Sequence, residues 1–419
     1  TGQNEPFQLD LEVQQLAGTL DGYPLTANGR LHVESDHVEF KDFQLQSMGS
    51  RMSLSGDAYD IQGLAFSADL VNLQTFHSEA AGSVQAVGRL SLSHESPGLE
   101  LDLDAVQLAW SGRPLMDSLS LTADRRQGRQ TLGMVAQTDQ LEVQARASGT
   151  LVAVAGSAEP VAWNGRLESL QLRQAEDVLL QLEQPAAAQL SRQKQGIEQA
   201  CLRGTGGGSL CLSAEAGVDT GSTALVKLQS FPLDLIRYLA QGELEFPQVV
   251  DGELNWRQAL HSEPRAMARL TMTPGDVRFR GEPEVLFSTG PAEAGVEFSQ
   301  GRLTGGLLSI PLPGNGEIEA SFDINDLAQG MDAGLQGYLR AQLKDLDLFG
   351  AVLPLLDESD GRLAADLTLS GSLAKPRIGG SFSLQDGMVQ HESSGLRLEQ
   401  INLAGHQLGS SGTVSYTHL

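Results

Sequence analysis

Cys201 and Cys211 bracket the segment Leu-Arg-Gly-Thr-Gly-Gly-Gly-Ser-Leu, whose centre is Gly206. That centring places 201 and 211, and likewise 202 and 210, at equal distances from a turn. In an antiparallel hairpin such residues face each other, and a non-hydrogen-bonded pair has Cα atoms about 4.5 Å apart, within disulfide range. A bridge there implies an oxidising compartment such as the periplasm. Two buried free thiols are the alternative, and a metal site is disfavoured because the chain has 2 cysteines and no histidine near them in sequence. The same glycines half resemble a phosphate-binding loop. However, Ser209 stands at the final glycine position, no Lys-Ser/Thr follows, and the next residues alternate as a strand where a helix is required.

The other residue types able to do chemistry are dispersed. Of 8 histidines, His32, His37, His77, His94, His261, His391 and His406 show none of the close spacings of a metal motif. Asp323-Ile-Asn325 and Asp345-Leu-Asp347 suggest calcium loops, but neither run ends in the required Glu. Gly-x-Ser-x-Gly is absent. No cofactor, no metal and no enzymatic activity are expected. Trp110, Trp163 and Trp256 sit far apart in alternating segments, which makes sheet packing their ordinary role.

The elements around these residues are strands. Of the 419 residues 40% are hydrophobic and only 5% aromatic, so thin aliphatic layers are expected in place of one thick core. The net charge of −25 repels phosphate backbones and excludes nucleic acid as a partner. Apolar residues recur at every second position, which puts them on one strand face. The runs are Leu9/Leu11/Val13, Leu99/Leu101/Leu103, Leu119/Leu121, Ile318/Ala320/Phe322/Ile324, Leu363/Ala365/Leu367/Leu369 and Phe382/Leu384. Between the runs, Asn28-Gly29, Asp251-Gly252, Pro274-Gly275, Gly314-Asn315-Gly316, Asp360-Gly361 and Asp386-Gly387 read as turns. Phe231–Ala240 and Leu346–Leu356 read as short capping helices, and Gln184–Glu198 as a loop or a single helical turn. No run reaches the roughly 20 apolar residues that span a bilayer. The chain lacks a starting Met and is expected to be an interior piece of a longer protein, with Val414–Leu419 as a non-native tail.

Two stretches carry a family resemblance. The first is Trp163-x-Gly165-x-Leu167-x-x-Leu170-x-Leu172, then Gln184-Pro-Ala186, then Cys201-Leu202 answered by Leu210-Cys211-Leu212. The second runs from Leu346-x-Leu348 and Leu353-Pro354 through Asp360-Gly361-Arg-Leu-Ala-Ala365 and Leu367-x-Leu369-x-Gly371 to Pro376-Arg-Ile-Gly379 and Leu384-Gln-Asp-Gly387. In order and spacing these pieces resemble the TamB family, the inner-membrane-anchored subunits of the translocation and assembly module of Gram-negative bacteria. The resemblance implies a periplasmic β-sheet curled into an open trough, an inner-membrane anchor helix and an Omp85-type outer-membrane barrel as partner. It also implies phospholipid transfer between membranes and support of outer-membrane and autotransporter protein assembly. Neither the anchor nor the partner-binding region is recognisable in this chain.

The expected fold is therefore all-β: a long, curled antiparallel sheet, the β-taco or open trough, with a few short capping helices. Its segments are 1–160, 161–245 with the cysteine hairpin, and 246–413. About 13 residues per strand and turn give roughly 30 strands, and strands about 4.8 Å apart make a sheet on the order of 140 Å long. Open twisted sheets rarely exceed about 10 strands without curling. The apolar residues named above would then line a groove for phospholipid acyl chains. The alternative is a β-rich extracellular adhesin or passenger protein, which should show a fixed coil length that is not found.

Overall fold

The computed structural model describes residues 8–20, 22–34, 37–93, 97–153, 161–236, 244–346, 358–391, 396–408 and 411–417. The chain forms two compact units, Thr1–Thr205 with Glu215–Val218, and Gly206–Ala214 with Asp219–Leu419. The segment boundaries expected at 160 and 245 fall inside these units.

In the first unit a strand pairs antiparallel with its successor eleven strands long: β1 (Gln8–Leu20), β2 (Tyr23–Glu34), β3 (Val38–Ser47), β4 (Ser50–Asp57), β5 (Leu64–Leu70), β6 (Ala80–Ser91), β7 (Gly98–Trp110), β8 (Arg113–Arg126), β9 (Arg129–Gln137), β10 (Glu142–Ala153) and β11 (Val161–Gln174). Two short strands, β12 (Asp177–Leu182) and β13 (Ala186–Leu190), share the next position along β11, and both pair with β14 (Lys194–Gly204). After the glycine turn comes β15 (Ser209–Gly217).

The second unit, which takes in Ser209–Ala214 of β15, repeats the plan from β16 (Gly221–Pro232) onward. A small separate sheet is made of β17 (Leu244–Glu245), β20 (Gly275–Phe279) and β21 (Phe287–Thr289). The main ladder passes from β16 through β18 (Val249–Gln258), β19 (Arg265–Met272), β22 (Ala292–Ser299), β23 (Arg302–Leu312) and β24 (Gly316–Asn325). It continues through β25 (Gly334–Leu343), β26 (Glu358–Gly371), β27 (Pro376–His391), β28 (Leu396–Leu408) and β29 (Ser411–Thr417). Val414–Thr417 thus continue a strand. Every strand pair named here is antiparallel. A stacked solenoid would need parallel coils, so this arrangement does not suit the adhesin alternative.

The tightest hairpins use two-residue loops in which both residues have positive φ, as the right-handed strand twist demands. They are Met48-Gly49 (46°, 90°), Ser111-Gly112 (49°, 75°), Gln127-Gly128 (52°, 78°) and Gln300-Gly301 (52°, 68°). Several dipeptides expected as turns lie instead inside strands. Asn28-Gly29 is within β2, Asp251-Gly252 within β18, Asp360-Gly361 within β26 and Asp386-Gly387 within β27. Three of them sit at register shifts, where β-bulges insert an extra residue. There the glycine serves close backbone approach: a β-carbon on Gly29 would lie 2.5 Å from the Phe43 Cα.

Other expectations are corrected as well. Gln184–Glu198 is not a loop or a helical turn: it holds β13 and the start of β14, because Ala186, Ala187 and Ala188 pair with Leu167, Arg166 and Gly165. Phe231 and Pro232 end β16, opposite Val250 and Val249, and Leu233–Ile236 form a 3-10 turn where a longer helix was expected. The remainder of that segment, and Leu346–Leu356 beyond Leu346, lie outside the described residues. Among the described residues the helices are three short 3-10 turns, the others being Leu73–Thr75 and Leu327–Asp332. None of them is long and apolar enough to cross a membrane.

Candidate functional site

Directly opposed residues of antiparallel strands point to the same side, so the registers trace one face across each unit. In the second unit Ile318 faces Ala341, Ala320 faces Leu339, and Ile324 faces Leu335. Leu339 faces Leu367, Ala341 faces Ala365 and Gly337 faces Leu369. Leu363 then faces Leu384, and Ala365 faces Phe382. The first unit behaves alike. Leu9 faces Val33 and Leu11 faces Leu31, with Val13 opposite Gly29. Leu99 and Leu101 face Leu90 and Gly88, while Leu103 faces Leu121 and Ala105 faces Leu119. Each of the eighteen apolar residues singled out from sequence therefore lies on the apolar face of its own unit.

These faces are half-buried. The accessible surface of 25684 Å² exceeds even the ~19,000 Å² of two separate compact monomers of half this mass. Of the eighteen residues Leu9 and Leu11, on the first strand, are exposed at 43% and 46%, Ala365 is buried, and the others are half-buried. The fully buried apolar residues are few, and are mostly alanines and leucines. Two clusters interrupt the open surface. In the first unit Leu182, Ala186 and Ala200 pack with Leu167, Leu170, Ile197 and Leu202, where β12 and β13 share one ladder position. In the second, Leu312 and Leu343 pack with Phe287 of the small sheet, together with Ile318, Leu346 and Leu363. The small sheet is tied to the main one through Gln248, 1% exposed, whose Nε2 donates to the Thr289 Oγ1 at 3.0 Å and to the Gly275 carbonyl at 3.2 Å.

The opposite faces are acidic and solvated. Arg340, opposite both Glu319 and Asp366, lies 3.5 Å and 3.6 Å from their carboxylates. Lys227 reaches Glu253 across β16 and β18 at 3.5 Å. Exposed pairs of this kind contribute about 0.2–1 kcal/mol each and serve register more than stability. The hydrogen bond from Asn255 is the main cause holding the Glu253 carboxyl below its ordinary range, with Lys227 adding to it and desolvation opposing.

The histidines that come nearest to a site lie here too. His32 meets Asp10 at 2.5 Å and Glu34 at 3.3 Å, and His37 meets Asp57 at 3.0 Å, around an open polar groove of about 1070 Å³. No group of His, Cys, Asp or Glu able to hold a metal occurs among the described residues. The bond to Asp10, then that to Glu34, raises the His32 pKa above 6.5. Asp10→Asn is expected to lower it, as read from the imidazole NMR titration. Because the folded pKa is raised, the stabilisation is present at pH below 6.5 and is lost as pH climbs through the folded value. Asp323 accepts from the Gly305 N–H at 2.8 Å, so it braces a bulge and does not begin a calcium loop.

Both cysteines are disulfide-bonded. Cys201 lies on β14, where its carbonyl accepts from the Glu183 N–H at 2.8 Å. Trp163 is on β11, and β12 and β13 lie between β11 and β14, so the bridge is one strand removed from the tryptophan segment. Trp163 and Trp256 belong to the apolar faces. Trp256 stacks on Phe298 at 6.3 Å, and Trp110, 46% exposed, stacks on His77 at 4.8 Å.

Neither a curated protein nor a solved structure matches this chain. The family model described as the N-terminal domain of TamB matches over two overlapping stretches, residues 2–138 and 112–384. These stretches contain nearly all of the ladder that carries the two apolar faces, and this family is associated with the Gram-negative envelope. An extended antiparallel sheet with one apolar side, matched across most of its length, identifies the chain as a member of the TamB family.

Proposed function

We propose that the apolar faces carry phospholipid acyl chains, and that the chain is the periplasmic part of a bridge moving phospholipid between the inner and outer membranes. The observation that carries this reading is the depth of the apolar stripe where it is widest. Runs such as Leu363/Ala365/Leu367/Leu369 and Ile318/Ala320/Phe322/Ile324 place four alternate positions over ~20 Å of strand. One leaflet's acyl chains fill about 15 Å of hydrocarbon. Charged residues lie at the opposite parity, so the headgroup stays in water while the tail meets aliphatic and aromatic side chains. Such a path works by exclusion of water and needs no acid, base or metal, so we assign no catalytic residue and no cofactor.

In the same reading an inner-membrane anchor and an Omp85-type barrel attach through regions outside this chain, and support of outer-membrane and autotransporter protein assembly follows from lipid supply. Nucleic acid is no partner of so acidic a surface. The test is mass spectrometry of lipids extracted from the protein purified in a mild detergent. Phospholipid retained in proportion to protein, and absent from a soluble control of equal charge, is expected. Protein that carries none, and takes up none from vesicles of phosphatidylethanolamine and phosphatidylglycerol, would sink the proposal.

A further inference from the structure

Aromatic residues on the apolar faces stand opposite glycines. Phe382 faces Gly405, Phe322 faces Gly306 on one side and Gly337 on the other, and Phe66 faces Gly88. Trp163 lies over Gly165 and Gly149, which face each other. The ring occupies the space above the glycine at Gly88, Gly149, Gly165, Gly306 and Gly405, whereas a β-carbon on Gly337 would meet the Ser321 carbonyl oxygen at 2.3 Å. A β-carbon on Gly306 would lie 2.7 Å from both Cε2 and Cζ of Phe322, and one on Gly88 would lie 2.5 Å from the Phe66 Cζ. At Gly405 the three nearest atoms are all ring carbons of Phe382.

Glycine weakens a strand, so its recurrence here calls for a cause. A left-handed backbone does not supply it, since Gly88, Gly149, Gly165, Gly306 and Gly405 all lie outside that region, and although a β-carbon at the first four would also press on a carbonyl oxygen, at Gly405 only the ring stands in the way. What these positions share is a missing side chain under a ring. A ring resting on backbone stands only ~3.5–4 Å above it, the contact distance between carbon atoms. An upright ring would project along its full length.

We propose that these glycines are wells that lay the aromatic rings flat, and that they set the clearance left above the sheet for an acyl chain. The inference rests on the lipid-carrying reading above. A flat ring offers a lipid tail broad apolar contact at little height, whereas a raised ring obstructs the path at that strand. The glycines are thus positioning residues, acting through the rings, and the cargo class they suit is a flexible single-file acyl chain and not a bulky fused-ring lipid.

The test uses the full chain and a diacyl phospholipid with a photoreactive acyl terminus. In the unaltered protein, adducts are expected at Leu384 and Leu403, which face each other beside the Phe382 well. Gly405→Val should remove these adducts while those at Ile318 and Leu339 persist. Adding Phe382→Ala to Gly405→Val should restore them, which a general folding defect would not permit. Independently of lipid, selective glycine labelling should show Gly405 α-protons shifted upfield by the ring above them. An unchanged adduct pattern in Gly405→Val, or Gly405 α-protons at ordinary shifts, would overturn the wells and leave the lipid reading standing. No adduct anywhere in the unaltered chain would overturn both.

Discussion

Leu367→Arg is expected to stop lipid passage, and Thr368→Arg to leave it near the unaltered rate, although the two positions are adjacent. Leu367 faces Leu339 on one side and Gly380 on the other, in the middle of the apolar face, whereas Thr368 is exposed on the acidic face beside Tyr338 and Gly379. A guanidinium at 367 meets acyl chains without a counter-charge, and leaving such a group unpaired in an apolar medium costs several kcal/mol. Stability should fall less than transfer, because a half-buried face lets the side chain bend towards water, unlike a close-packed core. The measurement is phospholipid transfer between donor and acceptor vesicles, with photocrosslinking from 366, 367, 368 and 369 beside it. Crosslinks are expected at 367 and 369 alone. Equal crosslinking at both parities would leave an ordinary packed β-sandwich as the better account.

Removing the disulfide, as Cys201→Ser with Cys211→Ser, is expected to cost about 2–3 kcal/mol, the value for closing so short a loop. The loss should be local. Hydrogen exchange should quicken in β14 and in the neighbouring end of β12, where the Glu183 N–H donates to the Cys201 carbonyl and Leu182 faces Leu202. Amides of β26 and β27 should keep their protection. A urea midpoint that does not move would show that the bridge constrains nothing that the strand pairing has not already fixed.

The parity of the strands was legible because a strand's side-chain period is two and one face is aliphatic, so Leu363 to Leu369 announce their face without knowledge of their neighbours. The turns were less legible. Asp-Gly and Asn-Gly read as loop signals, yet Gly361 and Gly387 sit at bulges within long strands, while the tight hairpins use Met48, Ser111, Gln127 and Gln300 before glycine. Any residue can be forced into left-handed backbone by pairing on both sides, and local text does not reveal which. The alanines 186–188 looked like a strand-breaking patch because small residues fill little sheet surface. Their role appears only once β11 lies alongside, where Ala186 is buried against Leu182. The apposition of Phe382 with Gly405 was beyond reach for a related reason: 22 positions of intervening sequence, bulges included, decide the register.

In most of the ladder a strand's partners are the strands just before and just after it in the chain. Such pairing keeps contacts short in sequence, so a hairpin can close as soon as it has been delivered, without waiting for distant text. It also makes each unit a ruler graduated in hairpins. Inserting one hairpin lengthens the sheet by about 9.6 Å, two strand spacings, and leaves every other register and the parity of every other residue untouched. Duplication of a hairpin therefore gives evolution a way to set the length of such a sheet, one graduation at a time.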